Sequence, residues 1–375
     1  MSREILETRD FMQKYELSGC MQCGSCTGGC PIALKAKLNV RRIIRSVMIF
    51  ESVGFPPEEG MLWGCTTCST CENICPRKIK PDELLVGLRN IVVEKGRVPP
   101  TVRDALESIY KHGNPWGRIR DKRSEWAQDL KIKHASEGVD LLYFVCCSAC
   151  YDTRVQEVAK AISAILNLTG INFGTLGNEE SCCGSEVYNL GEAGLFELLV
   201  EENVNLFEKY DVKEMVTTSP HCLHAFKNRY GSVNFEVRHY TQYVTELLDK
   251  GKLKLSREIE GTVTYHDPCY LGKRNAIYDE PRKILKSIPG LKLVEMDRSR
   301  ETSLCCEGGG GRMWMDIPGV RLAEIRVKEA LRTGANILAT ACPFCLLNLE
   351  DAVKTTGNED KLQVLDIAEI ILKTV

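Results

Sequence analysis

Cys20-Met21-Gln22-Cys23-Gly24-Ser25-Cys26-Thr27-Gly28-Gly29-Cys30-Pro31 holds four cysteines at spacings of two, two and three intervening residues, closed by a proline. The same run returns as Cys65-Thr66-Thr67-Cys68-Ser69-Thr70-Cys71-Glu72-Asn73-Ile74-Cys75-Pro76, with each cysteine displaced by 45 positions. The thiolate is the nucleophilic and metal-ligating form of cysteine. Two matched runs therefore predict a metal-bearing unit in the first hundred residues.

Paired C-x-x-C motifs also build tetrahedral zinc sites. A third cysteine at the same spacing and a fourth followed by proline fit instead the two-cluster ferredoxin run, whose last cysteine ligates the other cluster. The expected ligands are Cys20, Cys23, Cys26 and Cys75 for one [4Fe–4S] cubane, and Cys65, Cys68, Cys71 and Cys30 for its neighbour. Gly24, Ser25, Gly28 and Gly29 let backbone amides point at the sulfides and tune the potential. The 34 residues between the runs are rich in apolar positions from Ile32 to Phe50 and predict inserted helices. In this the chain resembles the helical ferredoxin domains of respiratory iron–sulfur subunits.

The whole chain has 375 residues, 43% hydrophobic and 27% charged, which suits a folded protein of two or three domains. A net charge of −2 and no basic-aromatic stripe argue against a nucleic-acid partner. Residues Met1 to Gly19 lack the apolar run of a signal peptide. The most apolar windows, Ile43–Phe50 and Ile367–Leu372, are too short to span a bilayer. The expected compartment is the cytoplasm, with any membrane attachment made through a partner subunit. There disulfides are rare, and nineteen cysteines read as metal ligands.

Seventy cysteine-free residues separate the first eight cysteines from the other eleven. Val98-Pro99-Pro100 breaks the chain there. Asn114-Pro115-Trp116-Gly117 and the basic run Arg118, Arg120, Lys122 and Arg123 read as a solvated connector.

Beyond it the chain is duplicated. Cys182-Cys183-Gly184 matches Cys305-Cys306-Glu307, and Ser219-Pro220-His221-Cys222 matches Cys342-Pro343-Phe344-Cys345, both offset by 123. Apolar strands such as Leu141–Val145 and Val263–Tyr265 lead into Cys146-Cys147 and His266-Asp267-Pro268-Cys269. Strands alternating with helical stretches predict an α/β unit in each copy, with cysteines on the loops after the strands. The expected fold class is α+β multidomain: a mostly helical ferredoxin domain (1–97), a linker (98–138), a degenerate first repeat (139–257) and a second repeat (258–375).

These motifs resemble the cysteine-rich "CCG" domain of heterodisulfide reductase and its relatives. His266–Gly272, Tyr278–Arg282 and Gly309–Trp314 are similar to the branch formed by the heterodisulfide reductase D-subunit and the sulfite-reductase-associated K-subunit. The resemblance implies a non-cubane [4Fe–4S] cluster bound by Cys269, Cys305, Cys306, Cys342 and Cys345, at which a disulfide or related thiol-derived substrate is reduced. Those five cysteines are the catalytic candidates. The glycine run Gly308–Gly311 would let backbone approach cluster or substrate. In the first copy Ser219 replaces a ligand, leaving Cys147, Cys182, Cys183 and Cys222 at matched positions, with Cys146 and Cys150 additional and Cys150 the candidate fifth ligand. A further iron–sulfur cluster, distorted or cubane, or none, is open at that site.

Glu307 stands where the motif has glycine and reads as a proton donor or a surface carboxylate. His221, His224 and His266 read as structural hydrogen-bonding groups or proton donors, and Arg312 and Lys273 as anchors for an anion or solvated charges. The resemblance implies a subunit of a redox complex with a flavoprotein or membrane cytochrome b partner. The alternative is a non-catalytic relay subunit, as in flavin-dependent dehydrogenases such as glycolate oxidase or in electron-transfer-flavoprotein-linked complexes. No Rossmann or P-loop fingerprint predicts a bound nucleotide.

Overall fold

A computed structural model describes residues 11–36, 38–50 and 59–375. Among them, every regular element before Lys133 is helical. The helix Val40–Phe50 turns Val40, Ile43, Ile44 and Val47 into the core and leaves Arg41, Arg42 and Arg45 exposed, the spacing of an amphipathic helix. Pro81 opens the helix Pro81–Glu94, with Asp82 and Glu83 in its positively polarised first turn. That helix buries Leu84, Leu85, Leu88 and Val92 and carries Arg89 fully inside.

The second half holds two wholly parallel sheets. The first comprises β1 (Lys133–His134), β2 (Leu141–Phe144), β3 (Phe173–Thr175), β4 (Glu214–Thr217) and β5 (Glu236–His239), in the order β1-β3-β2-β4-β5. The second comprises β6 (Gly261–Tyr265), β7 (Leu291–Val294), β8 (Ile337–Thr340) and β9 (Gln363–Asp366), in the order β7-β6-β8-β9. Setting β1 aside, the two orders are the same. Register agrees as well, Tyr143 pairing with Val216 as Tyr265 pairs with Ala339. Helices cover the sheets, so β2 and β8 are buried at every position, as parallel strands require.

In such sheets, sites form beyond the carboxyl ends of the strands, where the strand order reverses. Cys146-Cys147 follows β2, Cys182-Cys183 follows β3 and Cys222 follows β4; Cys269, Cys305-Cys306 and Cys342 with Cys345 follow β6, β7 and β8.

The stretch 98–138, expected as a solvated linker, is largely built into the fold. It contains the helix Pro100–His112, stopped by Gly113 at φ 68°, and β1, which pairs with β3. Arg123 is 1% exposed and belongs to the first cysteine site, because a buried carboxylate, Glu180, waits for it at 2.7 Å.

Arg89 joins the three parts. Its guanidinium donates to the carbonyls of Leu62 (2.7 Å) and Cys65 (2.6 Å), of Asn189 in the first repeat (2.7 Å) and of Gly310 in the second (3.2 Å). A planar fork of five donors suits this task in a way that an ammonium does not.

Candidate iron–sulfur sites

The two ferredoxin-type runs interleave. Cys20, Cys23, Cys26 and Cys75 line one cavity together with Gln22, Arg41 and Arg77. Cys23 is exposed, and its thiol is drawn below the usual range chiefly by the Ser25 hydroxyl. Cys30 instead sits with the other run. Burial pushes its thiol up to about 12, and the neighbouring Cys68 and Cys65 add to the rise. Cys65, Cys68 and Cys71 are buried. One set thus faces outward and the other inward.

The inward set abuts the second repeat. Cys305 is the leading influence on the Cys68 thiol and draws it well below its ordinary range. Cys305 Sγ lies 3.5 Å from Thr66 Oγ1. Lys273 donates to Thr70 and to the Ser303 carbonyl, both at 2.7 Å, and so ties the ferredoxin half to the loop before Cys305. The Gly308–Gly311 run approaches the backbone of the cluster loop: a Cβ on Gly310 would stand 2.4 Å from the Cys65 carbonyl oxygen, and one on Gly309 would stand 2.7 Å from that of Thr66.

All five thiols of the second repeat converge and all are buried. Cys305 touches Cys269 and Cys306, Cys306 lies 3.2 Å from Cys345 Sγ, and Cys345 touches Cys342. Their acidities split, Cys305 and Cys345 rising and Cys306 and Cys342 falling, because a shared proton favours one thiolate at its neighbour's expense. Packed thiolates without a cation repel one another, so this donor set fits the iron of a cluster.

Three histidines differ in role. His266 Nδ1 accepts from Arg326 Nε at 3.1 Å, which places the proton of the neutral ring on Nε2. That nitrogen has no other hydrogen-bond partner, and His266, Cys306 and Cys345 bring ligand atoms within 4.8 Å of one another. His221 stacks on Tyr270 with ring centroids 3.8 Å apart and lies 3.1 Å from Glu186 Oε1, though out of line for a hydrogen bond. Burial opposes its charge, but Cys342 and Glu186 outweigh it and raise the imidazole to about 10. His224 is pushed down to about 2 by burial and by Arg274 and Arg229, so it stays neutral.

Glu307 is not a surface carboxylate. It is 7% exposed and keeps the left-handed φ of the glycine it replaces, 75° against 73° at Gly184. Oε1 accepts from Lys35 at 2.6 Å and Arg312 at 2.9 Å, and Oε2 from the Leu322 amide at 2.9 Å. A cavity of about 530 Å³ reaches Cys306 and Glu307 and is lined also by Lys35, Arg312 and Asn348. Nε and Nη1 of Arg312 have no protein partner. Lys273, by contrast, is spent on the two contacts already described.

The first repeat departs from the second in its ligand set. Cys147 touches Cys182, Cys182 touches Cys183, and Cys183 touches Cys222. Burial raises the Cys222 thiol with help from Cys146 and Cys183, and Cys150, buried one helical turn on from Cys146-Cys147, is raised chiefly by its burial. Ser219 Oγ is turned away to cap the helix Pro220–Asn228, accepting from the His221 amide at 3.3 Å. The equivalent Cys342 caps nothing with its side chain. Cys146 adopts φ 75° and ψ 156°, a region nearly reserved for glycine that costs about 1–3 kcal/mol. Glu180 holds it there, accepting from the amides of Val145 (2.9 Å) and Cys146 (3.0 Å), and Arg123 in turn fixes Glu180. Cys146 was legible only as an additional cysteine, since its strain appears first in the backbone.

The fold and the thiol sets define a class: an iron–sulfur electron-transfer protein with a two-cluster ferredoxin unit and two cysteine-rich α/β repeats. The 4Fe-4S dicluster domain family matches residues 16–79, and the Cysteine-rich domain (CCG) family matches 141–227 and 263–350. The D-subunit of the dihydromethanophenazine:CoB--CoM heterodisulfide reductase of Methanosarcina barkeri is 33% identical over 97% of this chain and 95% of its own length. The chain belongs to this family of iron–sulfur oxidoreductase subunits. The probable iron-sulfur-binding oxidoreductase FadF of Bacillus subtilis is 39% identical over 84% of the chain, and the EtfAB:quinone oxidoreductase of Syntrophomonas wolfei 30% identical over 99%. The chain spans 47% and 60% of those two relatives. A hypothetical protein from Helicobacter pylori has a similar fold, with a TM-score of 0.54 and 12% identity over the whole chain and 73% of that protein. Among the described residues no helix is long and apolar enough to cross a membrane.

Proposed function

We propose that electrons enter at the outward set (Cys20, Cys23, Cys26, Cys75), pass to the inward set (Cys65, Cys68, Cys71, Cys30), and reach Cys269, Cys305, Cys306, Cys342 and Cys345, where a disulfide or related thiol-derived substrate is reduced. The approach of Cys305 to the inward set carries this reading: its Sγ lies 3.5 Å from the Oγ1 of Thr66, the residue next to Cys65, and Cys305 is the leading influence on the Cys68 thiol. Bound iron–sulfur clusters supply one-electron carriers there, the last of them a non-cubane [4Fe–4S] cluster in this reading. The residues supply the rest. His266 sets its ring beside Cys306 and Cys345, with ligand atoms within 4.8 Å of one another, and His221 lies next to Cys342. The cavity over Cys306 gives a substrate access, and Lys35, Arg312 and Asn348 line it.

Cys305→Ala in the loaded protein should abolish disulfide reduction while dithionite still reduces the outward set. Retained turnover ends this reading. A second reading, a relay between a flavoprotein and a downstream carrier, draws on the similarity to the EtfAB:quinone oxidoreductase and to FadF. It predicts that the wild-type protein transfers electrons onward but turns over no disulfide.

A further inference from the structure

The geometry points to a complete five-thiolate iron–sulfur site in the first repeat, made of Cys146, Cys147, Cys182, Cys183 and Cys222, in which Cys146 takes the place that Ser219 has vacated. This rests on the thiols being cluster ligands and not on disulfide turnover.

Three observations carry it. Ser219, at the position of Cys342, has its hydroxyl engaged as a helix cap, so it offers the site nothing. Cys146, at the position of Pro268, is buried beside Cys222, whose thiol it helps to raise, so with Cys147, Cys182, Cys183 and Cys222 it gives the group as many sulfurs as the second repeat. The backbone of Cys146 is held in a glycine-type conformation by the buried Glu180–Arg123 pair, an arrangement that a residue kept only for packing does not need. Strain that the surroundings over-determine marks a functional position. Arg123 also lies 3.5 Å from Cys147 Sγ, so it brings a positive charge to a ligand set rich in negative charge. The two sites are then neighbours, since His221 reaches Cys342 while the next residue, Cys222, belongs to the first set.

The backbone geometry supplies a clean test. Cys146→Gly removes the thiol while relieving the strained conformation, so the fold should be kept. Iron and acid-labile sulfide per chain, counted on anaerobically loaded protein, should fall by about four each relative to wild type. Cys150→Ala should lose none. The double variant C146G/S219C, which restores a thiol at the position equivalent to Cys342, should regain the lost iron and sulfide. Circular dichroism and elution volume report folding for each. The proposal is overturned if C146G keeps its full iron, if C150A loses as much as C146G, or if the double variant, folded or not, fails to recover the iron. Because the readout is metal content, its failure is distinct from a failure of disulfide turnover.

Discussion

Lys35 Nζ donates to Glu307 Oε1 across 2.6 Å, joining the ferredoxin half to the loop of the second cysteine pair with both side chains at least nine-tenths buried. Arg312 shares the same oxygen at 2.9 Å. Glu307→Gly would restore the residue suited to φ 75° and gain about 1 kcal/mol in backbone terms. It would also leave two buried cations without their carboxylate, a loss of about 3–5 kcal/mol. The expected outcome is a net lower denaturant midpoint, and a midpoint equal to or above wild type would contradict the pairing.

The glycine run is a docking surface for the cluster loop. Gly310→Ala puts a methyl 2.4 Å from the Cys65 carbonyl at φ 64° and disturbs the carbonyl that Arg89 also uses. The left-handed conformation alone costs ~1–2 kcal/mol. The larger expected effect is slower electron passage from the inward set to the second repeat, read by freeze-quenched paramagnetic resonance. Unchanged transfer would show that this approach is dispensable.

Electron entry at the outward set should depend on charge. Arg41 lines the cavity of Cys20, Cys23, Cys26 and Cys75 and, with Arg45, is exposed on the helix Val40–Phe50. An acidic protein donor would be steered here, at a rate that falls with salt. R41E/R45E should slow reduction by an acidic ferredoxin about tenfold or more at low salt, while reduction by dithionite stays unchanged. Equal slowing with both reductants would point to damage at the cluster.

His239 makes the first repeat acid-sensitive. Burial holds its imidazole at about 3 against 6.5 in the unfolded chain, while Nε2 faces the Thr218 carbonyl at 3.1 Å and Nδ1 the Thr241 hydroxyl at 2.8 Å. The unfolded chain binds the extra proton, so stability is full above pH 6.5 and declines as the pH drops toward 3, by as much as ~4–5 kcal/mol. His239→Gln should unfold with a shallower dependence on acid than wild type. Both carry the same clusters, so the difference between their unfolding rates at pH 4.5 and 7 isolates the histidine. Identical pH dependence would exclude it.

Much of the architecture was readable along the chain because its determinants are local. Cysteine spacing set the two runs and the duplicated pairs. Strand-length apolar segments gave the α/β repeats, with β2 and β6 falling on Leu141–Val145 and Val263–Tyr265 as expected. The basic run misled, since Arg123 reads as solvent-facing until its partner Glu180, 57 positions later, is folded onto it. The surface-carboxylate reading of Glu307 failed in the same way, since one of its two cations, Lys35, lies 272 positions distant.

By itself, then, the sequence determined that thiols come in ferredoxin-type fours and in a repeated cysteine-rich pattern, because loop ligands are specified by a few adjacent residues. Only the tertiary structure decided that the inward set abuts the second repeat, that Cys146 is held in a glycine-type conformation by Glu180, and that Arg123 and Glu307 are buried among partners. Those depend on burial and on partners brought together from three domains, and neither quantity exists until the chain has packed.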